Sequence, residues 1–170
     1  FSNGHFSGVC DYPSPHVPDQ QALGRVCNYI YVKDPLLKFP ELHQIWDSQD
    51  MIDIATEFFG CTPRQKALTL KKSFVNSHGA QDNQQFHTDK DGHKVLKFFI
   101  YLTDVDEGSG PFQYYLNSSQ EIPWSLRFKH RIPEADVVGH FDKAKLVTAV
   151  GRAGSIIAAD TRGLHRGLKP

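Results

Sequence analysis

Residues 85–103, QFHTDKDGHKVLKFFIYLT, place a short polar motif directly before a strand pattern. In the run LKFFIYL, Lys97 and Phe99 alternate with residues of the opposite face, and this alternation predicts a central strand covered on both sides. His87 and Asp89 precede the strand and lie two positions apart, so on extended backbone their side chains leave from one face. The stretch therefore predicts a β-fold that presents a polar pair beside its central strand.

The segments around this stretch are short, rich in β-branched and aromatic residues, and separated by clusters of Gly, Asn and Asp. Many short strands at such spacing are typical of a sandwich or barrel. The predicted fold is mainly β, with N-terminal helices and a double-stranded β-helix core of the jelly-roll, cupin-like type. After Pro63 the predicted strands are 66–76, 85–88, 94–103, 112–116, 145–150, 155–159 and 164 onward.

The first third of the chain has a different pattern. Residues 1–20 are rich in Pro, Gly and Ser and predict an irregular arm, whereas residues 26–32 fit either a strand or a buried helix segment. Residues 36–46 predict a short helix interrupted at Pro40, and an amphipathic helix follows that ends at Gly60. We predict one domain over 1–170, with the arm and helices in 1–62 and the core in 63–170. The core carries an insertion over 117–143.

Charge and composition limit the partners of the protein. Lys plus Arg and Asp plus Glu both number 19, so no net charge favours nucleic acid or an anionic membrane. No apolar run approaches the ~18 residues of a membrane span, and the first residues lack the pattern of a signal peptide. The three cysteines lack metal-type spacing and predict idle thiols. We expect a cytoplasmic protein with a small-molecule substrate, whose oligomeric state the sequence leaves open.

The candidate metal ligands are His87, Asp89 and His165. Taken alone, the first two also fit an exposed histidine beside a turn-capping aspartate. A second element, GRAGSIIAADTRGLHRG, ends near His165, and in a double-stranded β-helix such distant strands meet at one mouth. Two imidazoles and one carboxylate leave adjacent positions open on an octahedral metal, as in non-haem Fe(II) oxygenases. Zinc usually takes four ligands in a tetrahedral site.

Residues 63–170 resemble the phytanoyl-CoA dioxygenase family of Fe(II)/2-oxoglutarate oxygenases in the motifs HTD, LKFFIYLTDVDEGSGPFQY and GSIIAADTRGLHRG. The helical part before them is also similar to that family. The resemblance implies that His87, Asp89 and His165 bind Fe(II), and that 2-oxoglutarate and O2 are co-substrates. It implies hydroxylation of a small-molecule or lipid-like metabolite, with decarboxylation of 2-oxoglutarate to succinate and CO2. Halogenating relatives replace the aspartate of HxD, so Asp89 favours hydroxylation.

The resemblance also suggests contacts to 2-oxoglutarate at Arg25, Phe99 and Lys72. A solvated arginine, core packing and a solvent-facing lysine explain these three residues equally simply. The family places an arginine after the distal histidine, where its guanidinium pairs with a carboxylate of 2-oxoglutarate. Arg166 is adjacent to His165 and is expected to point to the other face. We therefore expect the matching arginine in a segment beyond Pro170.

Three alternatives remain at this point. The first is a catalytically silent module of the same fold, and the second is a cupin-like metal enzyme that does not use 2-oxoglutarate. The third is a structural zinc domain, which predicts a closed coordination shell. The family arginine separates the first from an active oxygenase, and a further protein ligand on the metal would indicate the second or third.

Overall fold

The structure is a computed structural model that describes residues 8–10 and 28–170. The chain forms two compact units, divided between His78 and Gly79. This division lies later in the chain than the predicted change after residue 62, and the single-domain organisation stays a prediction. Most of the predicted arm over 1–20 lies outside the described residues. Among the helices of the described part, none combines the length and the apolar character needed to cross a membrane.

The first unit contains a three-stranded sheet in which β2 is the middle strand. β1 pairs with β2 in parallel and β3 pairs with it antiparallel. The segment that fitted both a strand and a helix is therefore a strand where the structure describes it. Only part of the predicted strand 66–76 pairs. The strands are β1 (Gly8–Cys10), β2 (Tyr29–Val32) and β3 (Leu70–Ser73).

The helices of the first unit confirm the two predicted breaks. Pro40 lacks the N–H that would continue α1, and a 3-10 turn replaces the helix there. Gly60 adopts a φ of 74° at the end of α3, and its N–H donates to the Thr56 carbonyl at 2.8 Å. The helical segments are α1 (Pro35–Lys38), the 3-10 turn Pro40–Leu42, α2 (His43–Trp46) and α3 (Gln49–Phe59).

The strands of the second unit pair antiparallel in a nested order. β5 pairs with β6, β4 pairs with β7, and His87 forms an isolated bridge with His165. Segments that lie farther apart in sequence thus form the outer pairs of one long hairpin. β5 also pairs with β8, so the hairpin folds back on itself. The strands are β4 (Leu96–Ile100), β5 (Phe112–Tyr115), β6 (Leu146–Ala149), β7 (Ile156–Asp160) and β8 (His165–Gly167).

Among the residues that the structure describes, β4 is not the central strand that the sequence predicts. Within the described residues β4 has one hydrogen-bonded neighbour, β7, in a two-stranded sheet. All five of its residues are half-buried, because the other sheet of the unit covers one face. The Phe99 ring lies 4.4 Å from the Phe112 ring of that sheet, measured between centroids. Apolar residues on both faces of a strand indicate that other parts of the protein pack against both faces. They do not indicate how many strands are hydrogen-bonded to it.

The segment 117–143 belongs to the hydrophobic core of the second unit. It contains three short helices, and Leu126 and Val137 on these helices are fully buried. Both side chains pack in one cluster with residues that flank the candidate metal ligands. The helices are α4 (Ser118–Glu121), α5 (Trp124–Arg127) and α6 (Glu134–Val138). The cluster comprises Phe86, Tyr115, Leu126, Ile132, Val137, Phe141 and Leu164.

Candidate metal centre

His87 and His165 are directly opposite each other on antiparallel backbone. The His87 N–H donates to the His165 carbonyl and the His165 N–H donates to the His87 carbonyl, each at 3.0 Å. Side chains of such a pair leave the backbone on the same side. The imidazole centroids are accordingly 4.2 Å apart, and both rings are buried. The nested pairing thus brings together two histidines that are far apart in sequence.

Asp89 joins the pair from the same face. Its N–H donates to the Thr161 carbonyl at 2.8 Å, which keeps the backbone after His87 against the segment that follows β7. The Asp89 Oδ2 atom lies 3.8 Å from Nε2 of His165. One ligand atom from each of His87, Asp89 and His165 lies within 4.8 Å of the others. The structure therefore brings the three predicted ligands close enough to hold one ion.

Backbone carbonyls fix the orientation of both imidazoles. Nδ1 of His87 lies 2.9 Å from the Gln85 carbonyl oxygen, and Nδ1 of His165 lies 2.9 Å from that of Gly163. A carbonyl oxygen only accepts, so each Nδ1 donates and carries the proton of a neutral ring. Each Nε2 then keeps its lone pair. Histidines that bind metals in proteins show this arrangement, in which the second nitrogen donates to a carbonyl or carboxylate.

Burial sets the charge of the two histidines. Loss of hydration lowers the pKa of His87 to about 4, with a smaller contribution from the neighbouring His165. Loss of hydration also lowers the pKa of His165. Both rings are therefore neutral near pH 7, as metal ligation requires.

Asp89 stays ionised in the same surroundings. Burial raises the pKa of its carboxyl group, but the adjacent Lys97 ammonium and the Thr161 side chain outweigh this effect, and the net pKa is lowered. The site thus offers two neutral nitrogens and one anionic oxygen. This set suits a divalent transition metal, and among the described residues no fourth His, Cys, Asp or Glu joins the group.

Lys97 is a residue of this site that the sequence motifs do not single out. Its Nζ atom lies 2.6 Å from Oδ2 of Asp89, the same oxygen that approaches His165. Strand alternation contained the signal, because Lys97 and Phe99 share one face of β4. The resemblance implies that Phe99 lies at the 2-oxoglutarate pocket, and the shared face makes Lys97 a candidate for the same pocket.

The Phe112 ring lies between Phe99 and His165 and contacts both of their rings. Its centroid is 4.4 Å from that of Phe112, and the Phe112 centroid is 5.6 Å from that of His165. These two rings form an apolar wall beside the candidate ligands. A contact between Phe99 and 2-oxoglutarate stays a prediction.

The contacts of Arg25 and Lys72 with 2-oxoglutarate also stay predictions. Arg25 lies outside the described residues. Lys72 is an exposed residue of β3 in the first unit, and its role stays a prediction. Arg166 lies on the face opposite His165, where its guanidinium covers the Phe86 ring at 4.0 Å and its Nε donates to Gln113 Oε1 at 2.9 Å. The expectation that Arg166 faces away from the ligands agrees with these contacts.

Another arginine borders the site from the segment 117–143. The Ile132 N–H donates to the Phe86 carbonyl at 2.8 Å, so residues 131 and 132 lie directly beside the segment that contains His87. The positive charge of Arg131 contributes to the lowered pKa values of His87 and His165. Its guanidinium is paired with the carboxylate of Asp82.

Comparisons with protein-family models, curated proteins and solved structures found no match to this chain. A functional assignment therefore depends on the geometry of the three ligands and on the motifs that surround them.

Proposed function

We propose that this chain is a non-haem Fe(II)/2-oxoglutarate-dependent dioxygenase that hydroxylates a small-molecule or lipid-like metabolite. The convergence of His87, Asp89 and His165, with both Nδ1 atoms held by carbonyls, carries the proposal. Two histidines and one carboxylate with open positions are the ligand set of non-haem Fe(II) oxygenases. The iron would supply activation of O2, coupled to decarboxylation of 2-oxoglutarate to succinate and CO2.

The strand pairing supports a jelly-roll core for the second unit. A jelly roll arises when a long antiparallel hairpin wraps into two facing sheets. The nested pairs β5–β6, β4–β7 and His87–His165 have this order. The pairing of β5 with β8 joins the inner end of the hairpin to its outer end. In such a fold the two candidate histidines sit side by side because their strands are neighbours, which accounts for the wide separation of the ligands in sequence.

Residues of this chain would hold the metal in a fixed geometry and would partly shield it from water. The backbone bridge orients the two imidazoles before any ion arrives, which reduces the ordering that binding requires. Phe112, 5.6 Å from His165 between ring centroids, shields one side of the ligands from water. Exclusion of water protects a reactive centre from side reactions.

The segment 117–143 is proposed to shape the substrate entrance. Its residues 131 and 132 border the backbone that contains His87, and its helices share the core with Phe86 and Leu164. Segments placed between the strands of a rigid scaffold commonly carry specificity. The substrate is expected to contact this segment while the strands hold the metal.

The decisive experiment is an anaerobic titration with Fe(II) and then 2-oxoglutarate, monitored by visible absorption. The proposal predicts a metal-to-ligand charge-transfer band that His87→Ala abolishes. His93→Ala is the matched control, because His93 is an exposed histidine of the nearby turn, and this variant should retain the band. A second measurement is the conversion of 2-oxoglutarate to succinate under O2.

Other results would favour the alternatives. Iron binding without the band would indicate a cupin-like metal protein or a catalytically silent module. Tight zinc binding that resists removal and leaves no open position would indicate a structural site. Failure to bind any divalent metal would contradict the proposal.

A further inference from the structure

Lys97 occupies an unusual position for a basic residue. Its ammonium lies 2.6 Å from Oδ2 of Asp89, and that oxygen also lies 3.8 Å from Nε2 of His165. A cation bound to His165 and to this oxygen would share the oxygen with the ammonium. The Lys97 side chain is 42% exposed, whereas that of Asp89 is 14% exposed, so the lysine has room to move and the aspartate does not.

Two arginines near the site have acidic partners outside the ligand set. Arg131 pairs with Asp82. The Arg162 guanidinium holds both carboxylate oxygens of Asp160, with Nε at 3.0 Å from Oδ1 and a terminal nitrogen at 2.6 Å from Oδ2. Lys97 differs from these arginines, since its carboxylate partner is itself a candidate metal ligand.

The charges of the site then call for an anionic ligand. Asp89 and Lys97 form an ion pair of opposite charges, so a divalent cation bound beside them adds an uncompensated charge of about +2 in partly buried surroundings. A dicarboxylate restores neutrality. An ammonium on a flexible stem suits a carboxylate whose position is not fixed beforehand, because it binds as a point charge and needs no bidentate geometry.

We propose that Lys97 anchors a carboxylate of the dianionic co-substrate, and that it couples co-substrate binding to metal binding. The metal takes the place of the ammonium at the Asp89 carboxylate, the more exposed Lys97 side chain moves away, and the released ammonium then pairs with the co-substrate. This inference rests on the proposed function, since the metal and the dicarboxylate are those of the oxygenase reaction. It supplies a basic residue for 2-oxoglutarate within the described chain, independent of any arginine elsewhere.

The proposal predicts opposite effects of one substitution on two binding steps. In Lys97→Met the stem is kept and the charge is removed. The metal alone should bind at least as tightly as in the wild type, because a competing cation has left Asp89. Binding of 2-oxoglutarate to the metal-loaded protein should weaken by about tenfold or more, as expected for the loss of a charge-assisted contact.

The experiment measures both steps separately. Calorimetric titration with Mn(II) or Fe(II) under argon gives the metal affinity, and the charge-transfer band gives the 2-oxoglutarate concentration at half-saturation. Lys94→Met is the matched control, an exposed lysine before the same strand, and it should change neither value. Lys97→Arg retains a cation and should recover part of the 2-oxoglutarate affinity.

The outcomes separate this inference from the function on which it rests. Half-saturation of Lys97→Met at the wild-type 2-oxoglutarate concentration would overturn the role of Lys97 and leave the oxygenase assignment intact. Loss of metal binding in Lys97→Met, with Lys97→Arg binding normally, would also overturn it, because Lys97 would then support the ligands. A wild-type protein that binds metal but never shows the band would overturn both.

Discussion

His87 and His165 exchange both backbone hydrogen bonds at 3.0 Å and face each other with ring centroids 4.2 Å apart. The bridge places two imidazoles on one face of the sheet, and the carbonyls of Gln85 and Gly163 hold their Nδ1 atoms. Asp89 lies two residues after His87 on extended backbone, so its side chain leaves from the same face and joins the two imidazoles. The candidate metal centre is therefore a property of strand pairing, and variants that disturb the pairing should affect the site without removing a ligand.

Removal of the distal ligand should abolish tight metal binding. His165→Ala leaves one nitrogen and one oxygen ligand, and we expect its Fe(II) affinity to fall by at least about a hundredfold, since loss of an outer-shell partner alone costs up to about a hundredfold. Calorimetry with Fe(II) or Co(II) measures the change. His140→Ala, at an exposed histidine of the segment 117–143, should bind metal like the wild type. Equal affinities for His165→Ala and the wild type would show that the ion binds elsewhere.

The metal-free protein should lose stability as the pH falls from about 6.5 towards 4. His87 has a pKa of about 4 when folded and about 6.5 when unfolded, so the unfolded chain takes up more protons in this range. The contribution is fully present above the unfolded pKa, and its loss lowers the free energy of unfolding by about 3 kcal/mol. The lowered pKa of His165 adds in the same direction.

Urea denaturation of the metal-free protein across this pH range tests the effect of the buried histidines. His87→Gln should have a shallower dependence on pH than the wild type. His93→Ala, which keeps both buried histidines, should follow the wild type. Identical pH dependence in His87→Gln and the wild type would contradict the assignment of a lowered His87 pKa.

Gly163 should be sensitive to even a single methyl group. A Cβ atom at this position would overlap the ring of Tyr114, with its nearest carbon 2.5 Å away, and would lie 2.8 Å from Oγ of Ser118. The Gly163 carbonyl also accepts the Nδ1 proton of His165, so a shift of this backbone turns the ligand. We expect Gly163→Ala to reduce stability by about 1–3 kcal/mol and to weaken metal binding.

The matched control for this glycine is Gly167→Ala. Nothing lies within 4 Å of a Cβ atom built at Gly167, two residues after His165. Thermal unfolding and a metal titration of both variants give the comparison. Wild-type values for Gly163→Ala would mean that Tyr114 moves without cost and that the turn before His165 does not orient the ligand.

The segment 117–143 should contribute to the stability of the second unit. Leu126 is 1% exposed within the core cluster, and Leu126→Ala is expected to cost about 2–5 kcal/mol of unfolding free energy. Trp124 is a neighbour on the same helix with 72% exposure, and Trp124→Ala should cost less than about 1 kcal/mol. Chemical denaturation of the metal-free variants measures both. Equal effects would show that the segment is not packed as the structure has it.

Sequence patterns predicted those features that depend on local geometry. The two-residue spacing of His87 and Asp89 fixes their common face whenever the backbone is extended. Gly60 marks the end of α3 because its left-handed conformation favours a residue without a side chain. Most strand positions after Pro63 follow from short runs of β-branched and aromatic residues between turns, whereas the predicted strand 85–88 forms only isolated bridges.

Other features depended on which segments became neighbours. No local pattern states that His165 lies opposite His87, and in the sequence only the expected double-stranded β-helix and the family resemblance join them. The pairing of β4 with β7 and the contact of Lys97 with Asp89 follow from strand pairing and from the packing of the two sheets. Burial of Leu126 likewise depends on the core that closes over the segment 117–143.

There is a physical reason why sequence patterns predict the first group of features and not the second. Backbone conformation and side-chain alternation arise from interactions between near neighbours in the chain, so His87, Asp89 and the strand after them are readable as a unit. Hydrogen bonds between strands can join any two segments that have compatible edges. Which segments pair depends on the packing of the whole core. The sequence alone therefore determined the candidate ligands and their shared face, whereas the tertiary structure decided that they meet, that their rings stay neutral, and that Lys97 stands beside them.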